Sequence, residues 1–360
     1  MKREIRPSIP ADGPAIAALL VQEGLSPNIE PAQLHWKYWQ ERADWPGPRS
    51  YVLTQGTQIV GHAGVVPGAC AWGTERAVVI HLIDWAARKT AVGAGVALLK
   101  QIGRLTDVLL GVGGSEDTLR ILPHLGFRTV ANATEYVCNL YPLRHSTYNF
   151  NPLWTWPPRL ARSLIWTWST GARCGDWHAR HVTADELPAL TGLLPTSRKG
   201  MAVFERSPAL FDYFLGCPIV PMRLYALERA GHVRGYFLLA FAPGEARLAD
   251  CWLDSDDPAA WRSLIYCAVR TAAASDCPTL ATLASGPDLS RRLLECGFQV
   301  RRTLPVQWLP VGGTKYPGES LHVQMLDFDG AYLYHPEPQA ALRAAGRRDD
   351  AQAPGPVPQS

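Results

Sequence analysis

The alternation of apolar and polar positions divides the chain into short, regular pieces. "EIRPSIPAD" reads as a first strand that ends in a turn. "DGPAIAALLVQEG" follows with helical spacing through Ile16, Leu19 and Leu20, and Asp12 stands at the N-cap. "PAQLHWKYWQER" predicts a second helix, with Pro31 suited to its first turn. Three strands are expected in "SYVLTQGTQIVGHAGVVPGACAWGTERAVVIHLIDW", turned at Gln55–Gly56 and at Gly73–Thr74–Glu75. The third ends in a buried run, Val78–Trp85, then passes through a basic, glycine-bearing loop into a helix reaching Ile102. "LTDVLLGVGG" predicts a strand, and "SEDTLRILPHLGFRTV" a short helix stopped by Gly126 before another strand.

The order then recurs. "WHARHVTADELPALTGLL" parallels the first strand and helix, and "RSPALFDYFLG" the second helix. "MRLYALERAGHVRGYFLLAF" parallels the hairpin, and "ARLADCWLD" the strand before the glycine loop. "DLSRRLLECGFQV" parallels "EDTLRILPHLGFRTV", down to Gly126–Phe127 and Gly297–Phe298. The unit is far longer than a solenoid repeat, so two tandem domains are expected, residues 1–150 and 178–335. A Trp-, Pro- and Arg-rich connector, 151–177, separates them, and a Pro- and Ala-rich tail, 336–360, reads as disordered.

Composition narrows the classes. The net charge of +3 over 360 residues, with scattered arginines, gives no nucleic-acid footprint. Eight cysteines form no metal-type spacing, and they read as buried thiols of a reducing, cytoplasmic compartment. No stretch is long enough for a transmembrane helix. In the connector, Trp154, Trp156, Trp166 and Trp168 suit packing between the two units better than membrane anchoring. Trp166 and Trp168 diverge by about 200° on a helix, which spoils a single lipid-facing stripe.

The chemistry concentrates at Arg88, Lys89, Thr90, Ala91, Val92, Gly93, Ala94 and Gly95. A strand running through such a turn into a helix leaves unpaired N–H groups at the positive end of the helix dipole, an anion site most often used for phosphate. Neither Gly93–Leu98 nor Gly111–Glu116 completes a dinucleotide-binding fingerprint, and no Gly-Lys-Ser/Thr supports a Walker A loop.

In this arrangement the chain resembles the GCN5-related N-acetyltransferase (GNAT) superfamily, in tandem, over nearly all of residues 1–310. The family's motif is Arg/Gln-x-x-Gly-x-Gly/Ala after the fourth strand. Thr90–Gly95 matches both glycines, and Thr90 replaces the leading Arg/Gln. His124–Phe127 resembles the family's Leu-Gly-Phe, but Leu122 stands where a general-acid Tyr is often found. The layout is also similar to acyltransferases of bacterial surface-polysaccharide gene sets. The resemblance implies an α/β fold, with a mixed, mostly antiparallel twisted sheet flanked by helices in each domain. It also implies acetyl-CoA, or another acyl-CoA, as co-substrate and a small-molecule amine, such as an amino-sugar, as acceptor. On this reading Thr90–Gly95, with Arg88 and Lys89, holds the pyrophosphate. Backbone near Ile83, Asp84 and Trp85 polarises the thioester, and Ser115 lies toward the pantetheine arm.

Asp84 is then a candidate general base. Alternatively it is a strand-end carboxylate capping the loop through Arg88 or Lys89. His81, the second catalytic candidate, faces opposite to Asp84 on a regular strand, so sharing the cleft needs a bulge, which the family places here. His62, His81 and His124 each also fit a buried structural histidine, and Asp117 a helix cap. Asp254, Asp256 and Asp257 replace the glycine loop in the second unit and would repel a pyrophosphate, so no second CoA is expected. Asp327 and Asp329 read as an exposed turn rather than a paired binding site. Two other functions stay open: an inactive tandem scaffold, and an aminoacyl-tRNA-dependent transferase, which the intact Gly93 and Gly95 oppose.

Overall fold

The computed structural model describes residues 3–25, 28–140, 173–198, 200–275, 277–318 and 320–334. The four connector tryptophans and the tail lie outside these residues.

The first half runs β1 (Arg3–Pro7), α1 (Gly13–Gln22), α2 (Pro31–Tyr38), β2 (Ser50–Gln55), β3 (Gln58–Trp72), β4 (Glu75–Ala87), α3 (Ala94–Gly103), β5 (Val108–Val112), α4 (Glu116–Ile121) and β6 (Arg128–Asn139). Asp12 occupies the N-cap position of α1, but its carboxylate binds Arg6 and the Ile9 N–H, closing the preceding turn. Gly126 ends the turn after α4 at φ +94°, a conformation that favours glycine.

The second half runs β7 (Trp177–His181), a 3-10 segment (Ala184–Leu193), β8 (Met201–Phe204), α5 (Pro208–Leu215), β9 (Met222–Arg229), β10 (His232–Ala242), β11 (Glu245–Leu253), α6 (Pro258–Ala273), β12 (Thr279–Ala284), α7 (Pro287–Glu295), β13 (Gln299–Pro310) and β14 (Ser320–His322). The 3-10 segment stands where α1 stood. Pro188 inside it lacks the N–H that a helix ladder needs.

The two expected domains share one sheet, ordered β1-β2-β3-β4-β5-β13-β6-β12-β11-β10-β9-β7. The halves exchange the strands that follow their last helices, β6 and β13. β13 from the second half pairs with β5 of the first, β6 from the first pairs with β12 of the second, and β6 and β13 pair with each other between them. Side-chain alternation assigns the helices to faces. Tyr51, Leu53, Ile80 and Leu109 pack under Leu98, Leu99 and Ile102 of α3. Val52 and Ile83 point the other way, to Ile16, Leu19 and Leu20 of α1 and Leu34 of α2. In the second half α6 and α7 cover one face, while α5 and the 3-10 segment join the central core.

The seam of that core is aromatic. Trp36 and Tyr213, the sixth residues of α2 and α5, stack with centroids 4.7 Å apart and planes 8° from parallel. The Trp36 indole donates to the Tyr213 carbonyl (3.2 Å), and the Tyr213 hydroxyl donates to the Trp36 carbonyl (2.7 Å). Buried Arg49 donates to both residues, at the Tyr213 hydroxyl and the Trp36 carbonyl.

Candidate active site

Strands β4 and β5 are parallel and pair only over Val79–His81 against Val108–Leu110. Beyond His81, β4 continues to Ala87 bonded to β3 alone, so a V opens between β4 and β5. The loop that follows is closed by bonds from Ala91 N to the Arg88 carbonyl (2.8 Å) and from Ala94 N to the Ala91 carbonyl (3.0 Å). Gly93 caps α3 at φ +79°, and the N–H groups of the first turn lie outside the helix ladder. Lys89, Thr90, Val92 and Gly93 are exposed, whereas Ala91 and Ala94 pack into the core below α3. Arg88 is half-buried and lies beside the exposed Gln58 side chain, whereas Lys89 is exposed. The Trp85 indole donates to the Gly95 carbonyl (3.0 Å), and a Cβ on Gly95 would lie 3.2 Å from that indole nitrogen. Gly93 is therefore needed for its dihedral and Gly95 for its closeness to Trp85.

A bulge interrupts β4 just beyond the paired register, between Ile83 and Ala86, and Asp84 sits there at φ +48°. It turns the Asp84 side chain toward α2, the face on which His81 also lies. Lys37 donates to Asp84 Oδ2 at 2.7 Å and the Tyr38 hydroxyl at 2.5 Å. These are not the partners expected: neither Arg88 nor Lys89 bonds to Asp84 among the described residues. The Lys37 side chain is 2% exposed and that of Asp84 is 9% exposed. Burial raises the Asp84 carboxyl, but the Lys37 charge and the two hydrogen bonds outweigh it, leaving it below the ordinary value.

The bulge is fastened from behind. His62 Nδ1 lies 3.0 Å from the Asp84 carbonyl, which can only accept, so Nδ1 carries the proton. Nε2 then accepts from the Ser50 hydroxyl (2.9 Å), Ser50 from Ser8 (2.7 Å), and Ser8 from the Trp39 indole (3.0 Å). Burial holds His62 down to about 4, so this chain of donors keeps one direction at neutral pH.

His81 is buried. Its Nδ1 meets the Leu110 carbonyl at 3.2 Å across the last paired rung, and burial holds it down to about 4. His124 is exposed, contrary to the buried reading. Ser115 caps α4, accepting from Thr118 N (3.2 Å), while Asp117 is exposed in the first turn, so the cap falls to Ser115. Asp327 and Asp329 do lie in turns, as expected, but not in an exposed one. They lie in two 3-10 turns, with Asp327 buried and Asp329 half-buried near Asp84. Lys37 and Tyr38 are the residues beside Asp84 that pattern reading missed, and Asp329 was read only as part of an exposed turn. A lysine on the helix face that also buries Leu34 and Tyr38 was the available signal.

The second half builds the same V and fills it. β11 and β12 pair only over Ala246–Leu248 against Leu280–Thr282. Between the diverging ends, Gln324 accepts from Cys251 N (3.0 Å) and donates to the Cys251 carbonyl (3.0 Å). Across from it, Ser285 donates to the Leu321 carbonyl and accepts from Val323 N (2.7 Å). Asp257 caps α6, and Arg198 pairs with Asp254 and Asp256 where the first half has its glycine loop. Among the described residues, no metal-binding cluster is present and no helix is long and apolar enough to cross a membrane.

No protein-family model matches the chain, and neither does any curated protein. Solved structures do. A GCN5-related N-acetyltransferase from Anabaena variabilis aligns over 85% of this chain and 72% of its own, at TM-score 0.56 and 11% identity. The chain has the GNAT fold. A probable N-acyltransferase from Enterococcus faecalis aligns over 86% and 73%, with TM-score 0.58 and 13% identity. Saccharomyces cerevisiae N-myristoyltransferase with bound myristoyl-CoA aligns over 88% and 84%, with TM-score 0.62 and 14% identity. The GNAT assignment expected from the loop and the element order is thus met at the level of fold.

Proposed function

We propose that the chain is an acyl-CoA-dependent N-acyltransferase whose first half binds one acyl-CoA and whose second half binds none. One contrast carries the reading. In the second half a length of the chain itself, Leu321–Gln324, bridges the diverging strands with amide hydrogen bonds. In the first half no segment among the described residues does so. An extended, amide-bearing ligand would complete the open V as Gln324 completes the closed one, and the pantetheine arm of CoA has that chemistry. The pyrophosphate then falls on the loop of Gly93 and Gly95, at the N-terminus of α3 and beside Lys89. The thioester falls against Leu82–Trp85, where backbone N–H groups can meet the developing oxyanion. The yeast neighbour holds an acyl-CoA, myristoyl-CoA, which supports the same class of ligand here.

The matched order of elements supports reading the chain as two copies of one unit, the second having lost its loop. The acceptor is a primary amine of small size, and an amino-sugar of a surface polysaccharide belongs to that class. Leu122, buried in the core, supplies no acid, so the leaving thiolate takes its proton from the reacting amine rather than from a side chain there. Thiol release from acetyl-CoA in the presence of glucosamine and simple alkylamines tests the activity. Acetyl-CoA bound without turnover of any amine would leave the scaffold reading.

A further inference from the structure

The last segment of the described chain, Met325–Tyr334, follows the second half but lies against the first. Phe328 meets His81 edge-on, with centroids 5.8 Å apart, and Tyr332 meets Trp36 edge-on at 4.9 Å. Tyr334 N donates to Asn28 Oδ1 at 3.3 Å. Arg247 donates to the carbonyls of Gly330 (3.1 Å) and Leu333 (2.6 Å). At the other end Arg206 lies 2.7 Å from Asp327 and 2.8 Å from Asp250, all three side chains no more than 4% exposed. The segment is thus fastened at its start, middle and end, and its 3-10 turn Asp329–Ala331 is held beside α2 and the β4 bulge.

Asp329 in this turn is half-buried, and among the described residues its carboxylate bonds to no other side chain. The charged and titratable groups around it are Asp84 from β4, Lys37 and Tyr38 from α2, Arg247 from β11 and Tyr332 from its own turn. We propose that Asp329 accepts the proton of the acceptor amine and that Asp84 does not. This inference rests on the N-acyltransferase reading.

The two carboxylates are pushed apart. Lys37 and Tyr38 both bond to Asp84 Oδ2, and they keep that carboxylate ionised. Burial, and then the Asp84 charge, push Asp329 up to about 7. A proton acceptor works best when its affinity for protons matches the operating pH, and a pair of acids divided in this way marks which one exchanges protons. The ammonium nitrogen enters with three protons. It gives one to Asp329, and its lone pair then forms the C–N bond at the thioester carbon. As the C–S bond breaks, the second proton passes to the thiolate sulfur, and the amide keeps the third. Asp329 returns its proton to solvent.

The test uses the full chain labelled with ¹³C at aspartate carboxyl carbons, together with acetyl-CoA and glucosamine. Wild-type protein should show a carboxyl resonance titrating near pH 7 that Asp329→Asn lacks, while that of Asp327, which burial pushes up to about 6, remains. That variant should bind acetyl-CoA as wild type does and turn over about a hundredfold slower or worse. It should also lose the rise in rate through neutral pH, and Asp329→Glu should restore part of the rate. An Asp329 carboxyl titrating near 4, the ordinary carboxylate range, would overturn the proposal, and so would an Asp329→Asn variant with wild-type turnover. If glucosamine is not turned over, the simple alkylamines take its place as acceptor in the same comparison. Failure of wild type to bind acetyl-CoA would instead strike the N-acyltransferase reading itself.

Discussion

Asp84 holds a left-handed backbone conformation that costs a non-glycine residue roughly 1–2 kcal/mol, although aspartate tolerates it better than most. The ion pair with Lys37 and the His62 bond to the Asp84 carbonyl keep it there. Asp84→Asn should therefore strand a buried ammonium and lower the unfolding free energy by about 3–5 kcal/mol. Chemical denaturation measures this, and the double variant Lys37→Met, Asp84→Asn should recover much of the loss. His81 makes a second, pH-dependent contribution. Its folded value is depressed to about 4, so its stabilisation is present above the unfolded value near 6.5 and is lost as pH falls from there toward 4. The stability gap between wild type and His81→Gln should shrink over that window. A gap that stays constant with pH would show that His81 is not held neutral. His81 and Asp84 were both visible in the sequence as polar residues on an apolar strand. Their roles were not, because Lys37, Tyr38 and the Leu110 carbonyl come from elements distant along the chain.

At the scale of elements, the glycine loop was legible because its requirements are local. A strand, a basic turn and two glycines two apart imply a helix start open to an anion wherever they occur. Gly93→Val forces a β-branched residue to φ +79°. It should abolish acetyl-CoA binding while leaving the cooperative unfolding transition in place, as calorimetry and circular dichroism would record. Gly95→Leu should also bind poorly, for another reason: its side chain displaces the Trp85 indole. Wild-type affinity in both variants would remove the loop from the site. The plug of the second V was not legible. It depends on Gln324, more than seventy positions beyond Cys251, and no periodicity marks a residue that bonds to a strand edge through its side chain.

Across the whole molecule, element order could be read in both halves, but the exchange of β6 and β13 could not. Each of β6 and β13 has the alternation of an ordinary strand, and nothing in a strand's pattern names its neighbour. The exchange makes the halves interdependent. A chain ending near residue 150 would leave β6 without both of its partners and Trp36 without Tyr213. It should fail to unfold cooperatively in a thermal melt, and a sharp transition from that fragment would contradict the shared-sheet account. Arg206, Asp250 and Asp327 serve the same scale, fastening the second half's last segment beside the first half's V.

One V is open among the described residues, and the other is closed by the chain itself. Isothermal titration of the full chain with acetyl-CoA tests it most directly. Saturable binding of one acetyl-CoA per chain is expected, and Gly93→Val should abolish it. Two equivalents per chain, or no binding at all by the wild-type protein, would contradict it.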